Sequence, residues 1–71
     1  MSVLVEAARE MNAEAMKNGG HFPLAWYLEP KKFNRLQRAL QMHCKKAHQK
    51  FHGNGKDIFY FMAVPVVKNA R

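Results

Sequence analysis

From Pro30 onward, Phe33, Leu36, Leu40, Cys44, Ala47 and Phe51 recur every three or four residues. At 100° per residue they fall within about 40° of one line on a helical wheel. The spacing predicts a long amphipathic helix from Pro30 to about Phe51. Pro30 suits its first turn, where a missing N–H costs nothing. Gly53-Asn54-Gly55 reads as its stop.

A second helical pattern runs from about Ser2 to Asn18. Leu4, Ala8, Met11 and Ala15 share one face, and Glu6, Glu10 and Glu14 form an acidic ridge on another. Ser2 can cap its start, and Gly19-Gly20 can end it. Its apolar face is mostly alanine and methionine, so a loosely attached helix is one expectation. A short strand at Val3-Leu4-Val5 is another.

The stretch between the helices, His21 to Pro30, is apolar and aromatic and is bracketed by Pro23 and Pro30. Proline argues for a short edge strand or irregular chain. Trp26 reads as a core anchor. The last apolar run, Ile58 to Val67, is rich in aromatic and β-branched residues. Both of its alternating faces are apolar, which predicts one strand covered on both sides or one with an exposed face. Pro65 ends it or sets it at an edge, and Lys68 to Arg71 read as a frayed tail.

Together these elements predict an α+β fold: one small domain over 1–71 with an N-terminal helix, a long basic helix and a two- or three-stranded sheet. Two strands alone are marginal. A third would come from Val3-Leu4-Val5 or from a second copy, so a homodimer joined at a strand edge is one outcome.

Charge adds a functional dimension. The 71 residues carry a net charge of +7, very unevenly spread. Residues 1–29 hold two cations and four carboxylates, whereas residues 30–71 hold ten cations and the single acid Asp57. No acid occurs between Pro30 and Lys56. On the helix, Lys31, Arg35, Arg38, Lys45 and Lys46 oppose the apolar stripe, with Met42 and Gln49 among them. Lys32 and Lys50 flank them on one side, and His48 and His52 on the other. Density of one sign at this level usually has a counter-charge to meet; the alternative is a soluble cationic surface with no special partner. The expected partner-binding residues are Lys31, Lys32, Arg35, Arg38, Lys45, Lys46 and Lys50. Their partner would be an acidic protein surface or a nucleic acid, with Asn34, Gln37, Gln41 and Gln49 available to base edges.

Catalytic chemistry has little to work with. There is no threonine, Ser2 is the only serine and Asp57 the only aspartate. No pair of carboxylates is placed to divide acid and base roles. Cys44 and His48 stand four apart, but Cys44 belongs to the apolar stripe. Cys44, His48 and His52 could supply a two-ligand chelate only, because the outer two lie about 12 Å apart along a straight helix. Gly53-Asn54-Gly55-Lys56 lacks the serine or threonine and the following helix of a phosphate loop. A non-enzymatic protein with no metal and no cofactor is therefore expected. One cysteine, no apolar leader and no window of about 20 apolar residues suggest the cytoplasm and no membrane.

In its size, its charge asymmetry and its lack of catalytic residues, the chain resembles small phage-encoded transcription regulators, including those that bind host RNA polymerase. The resemblance implies regulation by protein contact in the host cytoplasm, with the strip from Lys31 to Lys50 meeting an acidic polymerase surface or nearby DNA. Two further readings remain: direct, largely sequence-independent binding of DNA or RNA, and an oligomeric accessory protein.

Overall fold

Ser2 starts the first helix by accepting the Leu4 N–H on its hydroxyl at 3.2 Å. The computed structural model describes residues 2–69. Helix α1 runs Val3–Lys17, so Val3-Leu4-Val5 is helical rather than a strand. It ends as its glycines predict. Gly19 takes φ +69°, and the Gly20 N–H reaches back to the Ala15 carbonyl at 2.7 Å. Its inner face is Ala7, Met11 and Ala15, with Met11 fully buried in the main core cluster. The core thus holds α1, small side chains notwithstanding.

Helix α2 runs Pro30–Lys46, behind the short strand β1, Trp26–Leu28. It stops about five residues before the expected end at Phe51. Its end lies at His48, not at the glycines. His48 adopts φ +55°, a left-handed conformation that histidine tolerates better than most residues. The His48 N–H then donates to the Lys45 carbonyl at 3.4 Å and the Gln49 N–H to the Cys44 carbonyl at 2.8 Å. These paired bonds satisfy the orphan carbonyls of the last turn. Ala47 is consequently exposed, and Phe51 leaves the helical stripe. Phe51 still packs on the core from the following loop, its ring centroid 5.9 Å from that of Phe59.

Residues after the helix run antiparallel beside the next strand. The Tyr60 N–H donates to the His52 carbonyl at 2.9 Å, and the Asn54 N–H to the Ile58 carbonyl at 3.1 Å. Gly53 pairs with Phe59 here, so it serves as a close-approach point rather than a helix stop. Asn54 builds the turn: its Oδ1 accepts the N–H groups of Lys56, Asp57 and Ile58, and its Nδ2 donates to Asp57.

The run expected as one strand is a hairpin, β2 (Ile58–Phe61) and β3 (Val64–Lys68). Met62 and Ala63 form its two-residue turn with φ +53° and +64°. That geometry favours asparagine and glycine, which is why no turn was visible in the sequence. The third strand therefore comes from folding this segment back on itself, not from the N-terminus. The sheet order is β1-β3-β2, with β3 parallel to β1 and antiparallel to β2.

Pro65 lies in the central strand, neither at an edge nor at an end. Ladder alternation explains the tolerance. The Phe61/Val64 pair closes the hairpin, so the next pair, Tyr60/Pro65, needs no N–H toward β2. On the other side, pairing with β1 begins only at Val66. The tail is tied down as far as the described residues extend. The Lys68 N–H donates to the Asp57 carbonyl at 2.8 Å, and the Asn69 N–H to the Leu28 carbonyl at 2.7 Å. The rest of the expected frayed tail, 70–71, lies outside the described residues.

The result is a small α+β domain of two layers. Leu28, Phe59, Phe61, Val64 and Val66 face the helices and meet Met11, Phe33 and Leu36. The Phe33 and Phe59 rings pack at 4.9 Å with a 57° tilt. Each such buried side chain contributes roughly 1.5–3 kcal/mol. Trp26 is only half-buried and sits at the margin of this core.

Candidate interaction surface

The apolar stripe of α2 decides where its cations point. Phe33, Leu36 and Cys44 are buried, and Leu40 is half-buried against the core. Helical geometry then turns Lys31, Arg35, Arg38, Lys45 and Lys46 outward, and all five are exposed. They span about 22 Å along the helix axis at 1.5 Å per residue.

Helix stability accounts for only part of this strip. Lys45 and Lys46 lie in the last turn, where the helix dipole favours positive charge. Lys31 lies in the first turn, where the dipole disfavours it, and that turn holds no acid.

Two of the seven expected contact residues occupy different settings. Lys32 is held by α1: its Nζ lies 2.6 Å from Glu10 Oε1 and 6.0 Å from the centre of the Trp26 ring. Lys50 lies in the loop after α2, and its carbonyl faces the Cys44 thiol at 3.9 Å. Lys31 and Arg35 are intermediate cases. They border a cleft of about 460 Å³ between the helices that Glu6, Glu10 and Glu29 also line. Among the described residues, the ion pairs involve only Lys17 and Lys32.

Shallow depressions follow the strip. One, of about 430 Å³, is lined by the apolar side chains of Val3, Ala39 and Met42 together with Lys31, Arg35, Arg38 and Asn34. The next, of about 490 Å³, is formed by Met42, Lys45, Lys46 and His48. Met42 is 55% exposed and belongs to both.

Asn34 and Gln41 are exposed beside the cations, but Gln37 is not. It is buried, and its Nε2 has no hydrogen-bond partner among the described residues. Gln37 therefore leaves the set of side chains able to reach an external partner. Its position beside Phe33 and Cys44 on the wheel was the available signal.

Cys44 is buried, and α2 ends before His48 and His52. The regular helical spacing that would have lined up these three residues is absent. Among the described residues, no group of three or more histidine, cysteine or acidic side chains could share a metal ion. No described helix is long and apolar enough to cross a membrane.

A second surface lies on the far side of the sheet. Tyr27 and Tyr60 are exposed there, with Ile58, Pro65 and Val67 half-buried between them. No charged residue belongs to this set. Its apolar alternation was visible in the sequence, but which face the helices cover was not. No family model matches the chain, and no curated protein or solved structure matches it either.

Proposed function

We propose that this chain is a basic, non-enzymatic regulatory module that docks the exposed face of α2 on an acidic protein surface of the transcription machinery. The observation that carries the reading is the strip itself. Arg38, Lys45 and Lys46 are exposed on one face with no carboxylate within ion-pairing distance among the described residues. Lys31 and Arg35 extend it toward the α1 cleft. Lys32 remains exposed but is paired with Glu10, so it ranks below the unpaired cations as a contact. The resemblance in general character to small phage regulators directs the choice of partner to RNA polymerase. Such a protein would act in the cytoplasm of the host cell.

Direct binding of nucleic acid is the second reading, favoured by the exposure of Asn34 and Gln41 among the cations. The two separate on one measurement. Binding to purified bacterial RNA polymerase and to a 20-base-pair duplex is compared for the wild type and for Arg35→Glu with Arg38→Glu. A polymerase complex lost on charge reversal, with negligible duplex binding, is the expected result. Duplex binding with a log K against log salt slope near −5, that of about six phosphate contacts, would favour the second reading. Unchanged polymerase binding after charge reversal would remove the basic strip from the function.

A further inference from the structure

We infer that the strip recognises an acidic amphipathic protein segment through an apolar contact centred on Met42, and not through charge alone. The inference rests on the proposed acidic partner and deepens it. The two depressions share Met42, and the first is lined by apolar Val3, Ala39 and Met42 alongside Lys31, Arg35 and Arg38. Methionine is flexible and polarisable, so it adapts to apolar side chains of varied shape. An apolar centre with a polar rim is the usual anatomy of a protein–protein contact.

Charge and chemistry select the occupant. Lys31, Arg35 and Arg38 before Met42 and Lys45 and Lys46 after it call for carboxylates flanking the apolar residue. A phosphate backbone would satisfy the cations but leave Met42, Ala39 and Val3 uncovered. The strip is about 22 Å long, the length of roughly four helical turns. An acidic segment that lays one apolar face along it, flanked by aspartate or glutamate, matches each of these features.

The test uses the full chain and three probes: a synthetic 18-residue acidic amphipathic peptide with leucines along one face, the same peptide with serine in place of leucine, and a duplex DNA. Affinities are measured by fluorescence anisotropy at about 0.15 M salt, where surface charge is largely screened beyond roughly 8 Å. Met42→Ser is expected to weaken the leucine peptide by about tenfold, the loss of one buried apolar contact. It should leave the serine peptide unchanged, because the two losses are coupled.

If charge reversal at Arg35 and Arg38 weakens the leucine peptide but Met42→Ser does not, the contact is electrostatic and this inference alone fails. If charge reversal has no effect either, the acidic-partner reading fails with it. Tighter binding to the duplex, or to phosphatidylglycerol vesicles, than to the leucine peptide overturns the choice of a protein segment. Met42 points outward, so circular dichroism of Met42→Ser should match the wild type, and a Met42→Leu variant should retain the affinity.

Discussion

Lys32 Nζ and Glu10 Oε1 lie 2.6 Å apart, joining α2 to α1 across the cleft between them. Both side chains are close to half exposed, so the pair contributes no more than about 1 kcal/mol. A double-mutant cycle of Lys32→Ala and Glu10→Ala by urea denaturation should return a coupling of that size, smaller at high salt. Lys32→Glu should disturb partner binding less than Arg38→Glu does, because Lys32 pairs with Glu10 whereas Arg38 has no carboxylate partner among the described residues. Equal losses would give Lys32 the same weight at the contact as the unpaired cations.

Gln37 is 8% exposed, and its Nε2 has no hydrogen-bond partner among the described residues. An unmet buried donor costs about 1–3 kcal/mol. Gln37→Leu removes the donor at similar volume and should raise stability by about 1–2 kcal/mol. The urea midpoint should therefore move up with an unchanged slope. A fall in the midpoint would show that the amide is satisfied in solution.

Met62 and Ala63 both hold positive φ in the β2–β3 turn. Left-handed backbone costs an L-residue with a Cβ roughly 1 kcal/mol or more, and asparagine and glycine suffer least. Replacing the pair as Met62→Asn with Ala63→Gly should stabilise the domain by about 1–2 kcal/mol. Thermal unfolding of the double variant reads this directly, and a lower Tm would contradict the turn geometry.

Gly53 is short of space. A Cβ there would lie 2.7 Å from Phe59 Cβ, 2.9 Å from the Ile58 carbonyl oxygen and 2.9 Å from the Phe51 ring. Gly53→Ala should therefore destabilise the domain by about 2 kcal/mol or more, through forced movement of the segment beside β2. Gly55→Ala makes an informative control, because nothing among the described residues lies within 4 Å of its Cβ position and the strain there comes from its φ of +76°. A wild-type Tm for Gly53→Ala would mean that 51–54 does not pack against β2.

Much of the candidate surface was legible from spacing alone. Lys31, Arg35, Arg38, Lys45 and Lys46 oppose the apolar stripe in the sequence and are exposed in the fold. Lys32 and Gln37 were not legible in the same way. Each lies at the border of the stripe, where a small angular difference separates solvent from a neighbour. For Lys32 the neighbour is α1, and no local pattern says which helix face α1 will occupy.

The sequence by itself determined the class of fold, the sign of each helix face and both ends of α1, because helical periodicity and glycine act over a few residues. It also determined the apolar character of both sides of the Ile58 to Val67 run. Only the tertiary structure decided the end of α2 at His48 and the hairpin at Met62-Ala63. Both turns place residues other than glycine at positive φ, a cost that packing of Phe51 and of the β2–β3 pair must offset. Such compensation comes from residues distant along the chain, so no local signal carries it. The same holds for the uncovered face of Tyr27 and Tyr60. Alternation made that face apolar, but the helices settled on the other side of the sheet.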